Sequence, residues 1–223
     1  MPQPSDKARF ITIEGGEGTG KSTQIRFLME RLEEHGITAK RTREPGGSDG
    51  AERIRSLILE AGQKRFDALT ETLLFFAARN DHLEHVIRPA IDAGTWIVCD
   101  RFADSTRVYQ GCMGTIDFET LDHLEALVIV ETKPDLTLIL DLPAEIGLAR
   151  ANARRGTMAA DGFEAESIDF HRGLRQCYLD LAERDPKRCV IVDASGDESE
   201  VATKIWQVVS HRFFSAAGVA LDG

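Results

Sequence analysis

Long hydrophobic runs are missing from these 223 residues: the longest unbroken apolar stretch is Leu73 to Ala78, against the roughly 20 residues a membrane helix needs. Met1 to Lys7 contain no apolar core of the kind a signal peptide carries. The four cysteines (Cys99, Cys112, Cys177, Cys189) form no CxxC pair and no ladder of spacings, so no disulfide framework is expected. Cys99 and Cys189 sit in apolar runs and read as buried thiols, which suits a reducing cytoplasm. A basic excess is missing too. Lys+Arg 27 against Asp+Glu 37 gives a net charge of -10, which speaks against a nucleic-acid surface or an anionic membrane as partner. No Ser/Pro linker and no internal repeat divides the chain. What remains is an acidic, 42% hydrophobic sequence able to bury one core, in which any anion site has to be local.

Short apolar runs at residues 10–13, 37–42, 96–99, 136–140 and 188–192 alternate with helical stretches. The helices are expected at 21–35, 50–61, 68–93, 117–131 and 198–215, with a further long one before residue 188. Five β-rich runs separated by helices predict an α/β fold, a five-stranded parallel sheet with helices on both faces. One domain over residues 9–216 is expected, between a disordered tail at 1–8 and another at 217–223.

The strongest signal lies between the first run and the first helix. Gly15-Gly16-Glu17-Gly18-Thr19-Gly20-Lys21-Ser22 is a full G-x-x-x-x-G-K-[ST] pattern. Glycines let the backbone curl so that several N–H groups face one phosphate chain, and the helix beginning near Lys21 adds its positive end. Lys21 would bridge the outer phosphates of ATP, and the Ser22 hydroxyl would ligate Mg²⁺, with Thr23 completing the loop. The fold is therefore expected to be the three-layer P-loop type. Nucleotide binding follows from this; the reaction does not.

A phosphoryl acceptor would need anion-binding groups of its own. Arg43, Arg55, Arg79 and Arg101 fall beside chain breaks or strand ends, where a doubly wound sheet binds its ligands. Any one of them alone has the pattern of a solvated or salt-bridged surface arginine. Their shared placement is what points to a ligand. Arg79 follows Phe75 by one helical turn, so a guanidinium and an aromatic ring share one side; the ring offers a stacking surface for a base and the planar forks suit a phosphate.

The segments Phe10-Ile11-Thr12-Ile13-Glu14-Gly15, Thr42-Arg43-Glu44-Pro45-Gly46-Gly47, Leu74-Phe75-Phe76-Ala77-Ala78-Arg79 and Asp100-Arg101-Phe102…Ser105-Thr106…Tyr109-Gln110-Gly111 together resemble the thymidylate kinases, in order, from about residue 9 to residue 210. Glu17 in the phosphate loop matches the bacterial type. The resemblance implies transfer of the ATP γ-phosphoryl to dTMP with Mg²⁺, in a homodimer. It implies that Phe75 stacks on thymine and that Arg79 contacts the base. Thr106 and Gln110 would lie on the base and sugar side, with Glu44 and Ser105 in the same acceptor site. Arg55 and Arg101 would hold the acceptor phosphate, with Arg43 near the reaction centre. Glu17 would meet the deoxyribose 3′-hydroxyl, and Asp100 would act on Mg²⁺ directly or through water.

After Pro143, Arg150 and Arg154 stand four apart on one helical face, followed by Arg155 and Gly156. Charge patterning alone reads this equally as a solvated helix end. The resemblance makes it a lid over about 150–162 whose arginines reach the transferring phosphoryl group and whose closure excludes water. Asn152 stands where the family pattern has another arginine, which leaves Arg154 as first choice for the key lid cation and Arg150 as second. Residues 156–161 are small and polar enough for a mobile segment. Arg107 has no role that the sequence explains. The loop 192–197 would flank the adenine, although an ordinary strand-to-helix turn with Asp197 at a helix start explains it equally. Two rivals remain open: another nucleoside monophosphate kinase of this fold, and a P-loop regulatory NTPase that switches conformation.

Overall fold

The computed structural model describes residues 7–60, 66–155 and 166–214, with nothing beyond the backbone for Glu60 and Arg155. The expected tail at 217–223, most of the tail at 1–8 and the lid tip at 156–162 therefore lie outside the described residues.

Five strands form one parallel sheet: β1 Phe10–Glu14, β2 Ala39–Arg43, β3 Trp96–Asp100, β4 Leu136–Asp141 and β5 Cys189–Asp193. They are ordered β2-β3-β1-β4-β5. The central strands β1, β3 and β4 are buried at nearly every residue, because helices cover both of their faces. Alternation along β1 sends Ile11 and Ile13 into a cluster with Ile25, Leu28 and Leu32 of α1 (Lys21–Glu34) and Val201, Ile205 and Val209 of α9 (Glu198–Phe213). Phe10 points the other way, into a cluster with Leu83, Ile87, Ile97, Cys99 and Phe102. Beside it, Val108 and Ile139 pack on Leu174, Cys177 and Tyr178 of α8 (Ile168–Arg184). Each such aliphatic side chain contributes about 1.5–3 kcal/mol on burial.

The remaining helices are α2 (Asp49–Glu60), α3 (Ala68–His82), α4 (Arg88–Asp92), α5 (Ala103–Thr106), α6 (Phe118–Val128) and α7 (Ala144–Arg155). The single helix expected at 68–93 is interrupted by a π-helical turn at Leu83–Ile87. Pro89 follows this turn near the start of α4; having no N–H to give the carbonyl four residues back, it favours such a widening of the ladder. A second π-helical turn, Arg107–Cys112, continues α5. β2 starts two residues later than expected because Ile37 is used in capping α1: Gly36 takes φ +70° and Ile37 N–H returns to Leu32 O at 2.9 Å. Asp197 caps α9 in a reciprocal box with Glu200.

Cysteine usage departs from expectation. Cys99 and Cys189 are buried thiols, but Cys112 and Cys177 are joined in a disulfide between the second π turn and α8. The partners lie 65 residues apart, and only the packing of that turn on α8 brings them together, so spacing carried no sign of it. Arg107, opaque in the sequence, donates to Glu125 at 2.9 Å and also to Asp122, tying the same turn to α6.

Under β1 and β4 runs a buried polar chain. Thr12 and Thr137 hydroxyls meet at 2.8 Å, and Arg188 donates to Thr137 at 2.7 Å and to Asp104 Oδ1 at 2.9 Å. The Asp104 side chain is only 4% exposed, so removing its cation strands a carboxylate in the core. Arg188→Leu is expected to cost about 3 kcal/mol or more in urea unfolding; a loss below about 1 kcal/mol would show that the pair is solvated.

Candidate active site

β1 stops at Glu14, and the chain turns through glycines before α1 starts at Lys21. Gly18 adopts φ +67°, and a Cβ there would run into the Gly147 carbonyl of α7, so only glycine lets the loop lie against that helix. Lys21 folds back and donates from Nζ to Gly15 O at 3.1 Å and to Gly16 O at 2.8 Å. Burial pushes its ammonium down to about 8, helped by Arg101 and opposed by Glu17 and Asp100. Ser22 Oγ donates to Asp100 Oδ2 at 3.3 Å. A hydroxyl and a carboxylate at one point are hard oxygen donors that fit Mg²⁺, which keeps waters and substrate phosphates as its other ligands. No group of three His, Cys, Asp or Glu suited to a metal occurs among the described residues.

Directly after β3, Arg101 takes φ +67°, a conformation that a non-glycine residue adopts at a cost of order 1–3 kcal/mol. Its guanidinium donates to Glu17 Oε1 at 2.7 Å, to Ser105 Oγ at 3.1 Å and to the Tyr178 hydroxyl at 3.2 Å, above the Tyr109 ring at 5.2 Å. Burial works to raise the Glu17 carboxyl, but Arg101 and Lys21 outweigh it and hold it at about 2. Beneath this pair sits Glu14, fully buried, accepting from Phe102 N at 2.7 Å, Ser105 Oγ at 2.6 Å and Tyr178 OH at 3.2 Å.

Arg79 is buried on α3. Its Nε donates to Glu44 Oε2 at 2.8 Å and Nη2 to Thr106 Oγ1 at 3.0 Å, with the Phe76 and Phe102 rings at 5.0 and 5.1 Å from the guanidinium carbon. Nη1 is buried and has no hydrogen-bond partner. A buried donor left without a partner costs roughly 1–3 kcal/mol, so this N–H is a place waiting for a ligand acceptor.

These groups line one cavity of about 300 Å³. It takes in Glu17, Gly18, Thr19, Gly20, Lys21, Ser22, Thr23, Arg43, Glu44, Arg55, Phe75, Arg79, Asp100, Arg101, Ser105, Thr106, Gln110 and Arg154. Six cationic side chains face three acidic ones, the reverse of the net charge of -10 over the whole chain. Arg43 also chelates Glu52 at 3.0 Å, Arg55 donates to Pro45 O at 2.8 Å, and Gln110 donates to Glu71 at 3.2 Å. Three expected residues stand elsewhere. Gly15 and Gly16 lie under the loop, against β4 and α8, and Arg150 donates to Ala194 O at 3.2 Å, after β5. Tyr109 lines the cavity and was passed over, though it stands inside a motif segment. Glu14 and Tyr178 were missed as well; Tyr178 carries no sequence signal, being an ordinary aromatic on a late helix.

Residues 13–205 match the thymidylate kinase family model. The chain belongs to the thymidylate kinase family. It is 52% identical to the thymidylate kinase of Bradyrhizobium sp. (strain BTAi1) over 214 residues, covering 96% of this chain and 95% of that one. Against the thymidylate kinase of Nitrobacter winogradskyi it is 55% identical over 212 residues, covering 95% and 92%. The crystal structure of the thymidylate kinase from Ehrlichia chaffeensis superposes with a TM-score of 0.74 at 30% identity, covering 91% of this chain and 99% of that one. The chain is thus a dTMP kinase on the P-loop α/β fold. No helix among the described residues is long and apolar enough to cross a membrane.

Burial raises the Glu14 carboxyl to about 7 from an ordinary 4.5, with Asp104 adding to the shift and Ser105 opposing it. A carboxyl raised on folding stabilises the fold fully below about pH 4.5 and loses that contribution as pH rises through about 7. The melting temperature of the native chain relative to Glu14→Gln is therefore expected to fall across that interval. Parallel curves would show that Glu14 titrates alike in the folded and unfolded chain.

Proposed function

We propose that the cavity binds ATP on the glycine loop and dTMP against α3 and the Arg101 segment, and transfers the γ-phosphoryl between them in line. The orphaned Arg79 Nη1 carries this reading. A thymine carbonyl oxygen is an acceptor that satisfies it, and Phe75, half-buried on the same helix and in the same cavity, provides the face on which the ring stacks. Thr106, Ser105, Gln110 and Glu44 frame the base and sugar. Arg55 and Arg101 hold the acceptor phosphate, and Glu17, ionised over the whole working pH range by its cations, accepts from the 3′-hydroxyl.

Phosphoryl transfer needs positioning and charge neutralisation rather than a covalent intermediate. Backbone N–H groups from Glu17 to Thr23 cradle the donor phosphates. Lys21 exchanges its two loop carbonyls for phosphate oxygens, and Arg43 faces the point where donor and acceptor meet. Ser22 and Asp100 would hold Mg²⁺, which when bound neutralises phosphate charge. Arg154, which reaches the cavity from the last turn of α7, is the lid cation; Arg150, bound to Ala194 O, steadies the base of the same helix.

A homodimer is supported by large apolar side chains left on three neighbouring helices. Leu57 of α2, Leu69 and Leu73 of α3, and Phe118 and Leu127 of α6 are 41–76% exposed. A second copy is the partner whose matching face would cover them. Leu73→Glu is expected to convert a dimer to a monomer in light scattering; a monomer in the unchanged chain would contradict the proposal.

With ADP release as readout, dTMP is expected to exceed AMP, GMP and UMP as acceptor, and Arg101→Ala to lower kcat/KM for dTMP by about 30-fold or more, the equivalent of about 2 kcal/mol. Unchanged turnover in that variant would refute the assignment of Arg101, and preference for another monophosphate would refute the acceptor site.

A further inference from the structure

We propose that His82 is a positioning residue for recognition of the acceptor base, acting through Glu44 on Arg79. The inference rests on the reading of Arg79 as the base contact. His82 closes α3, one turn beyond Arg79, and its side chain is 0% exposed. Both ring nitrogens are engaged. Nδ1 lies 3.0 Å from Glu44 Oε1, and Nε2 lies 2.6 Å from Thr42 Oγ1. A carboxylate oxygen only accepts, so Nδ1 carries a proton and donates it to Glu44. The hydroxyl of Thr42, on β2, fixes the far end of the ring.

The two oxygens of Glu44 therefore have separate duties. Oε1 takes His82, and Oε2 takes Arg79 Nε at 2.8 Å. Arg79 is then held at Nε by Glu44, at Nη2 by Thr106, and on its flanks by Phe76 and Phe102. Only Nη1 is left without a partner. Glu44 follows the end of β2, and turning its carboxylate would swing that last N–H off the base. His82 prevents the turn. Gly47, at φ +91°, makes room for the arrangement: a Cβ there would come within 2.5 Å of His82 Nε2 and 2.6 Å of Thr42 Oγ1. His82 is absent from the cavity wall, so its effect has to pass through Glu44.

Cytosine presents an amino donor where thymine presents a carbonyl oxygen, so an aimed arginine N–H rejects dCMP and a loose one rejects it less. The test is steady-state kinetics of the full chain with ATP, dTMP and dCMP each varied. His82→Leu is expected to raise the dTMP KM about tenfold, to leave the ATP KM unchanged and to narrow the preference for dTMP over dCMP. His82→Asn, whose amide can still donate to Glu44, is expected to recover most of that loss. Should the leucine variant unfold, Thr42→Val, which removes only the hydroxyl on Nε2, is expected to raise the dTMP KM about threefold with the ATP KM unchanged. Unchanged dTMP KM in the folded variants, or dTMP and ATP KM values rising together, overturns the role of His82. Arg79→Ala separates the two readings. If it leaves the dTMP KM unchanged, the base site is misassigned; if it raises that KM while His82→Leu does not, the role of His82 alone fails.

Discussion

The contact between Arg101 and Glu17 ties two walls of the cavity together. Glu17 belongs to the phosphate loop and Arg101 to the segment after β3, and their 2.7 Å ion pair spans the seam between β1 and β3. The pair is mostly buried, at 18% and 19% side-chain exposure, so neither charge can be removed without stranding the other. Several other features follow from it. The left-handed backbone at Arg101 turns the guanidinium back over the loop. Ser105 and Tyr178 brace it from below, and Glu14 braces them in turn. Lys21 feels both members of the pair, Arg101 pushing its ammonium down and Glu17 holding it up.

The α3 side of the cavity is built in the same manner, by pairing a buried cation with a buried carboxylate and leaving one guanidinium nitrogen without a partner. Arg79 and Glu44 are nearly inaccessible, at 2% and 4%. Arg79 has been satisfied on all sides but one. The cleft thus carries a local sign opposite to the net charge of -10 of the whole chain: acids inside it orient its cations without outnumbering them, and the acidic surplus lies outside.

Much of this was legible in the sequence where the cause is local. The glycine loop, its strand and its helix obey short-range geometry, and the runs of the central strands stand out because a sheet covered on both faces buries nearly every residue; β2, with Lys40, Arg41 and Arg43 exposed, carries that signal least. Phe75 and Arg79 were placed on one side of a helix by spacing alone, and both line the cavity. What could not be read depends on tertiary packing. The π turn ahead of Pro89 looked like continuous helix because its apolar periodicity barely changes. Glu14 stood just past the first apolar run with no signal of its own, and only α5 and α8 closing over it turn it into a hub. Tyr178 and the Cys112–Cys177 bridge come from α8, remote in sequence from the turn they touch. His82 sat inside an expected helix with nothing to set it apart from a core residue.

Under the proposed function, Glu17 and Arg101 act as one unit in holding dTMP. A double-mutant cycle on kcat/KM for dTMP tests it most directly, with Glu17→Gln, Arg101→Lys and the double variant compared with the native chain. The expected result is strong coupling, the double variant losing less than the product of the two single losses by about tenfold, or about 1.4 kcal/mol. Two losses that simply multiply would contradict the account and would make the pair a contact between independent residues.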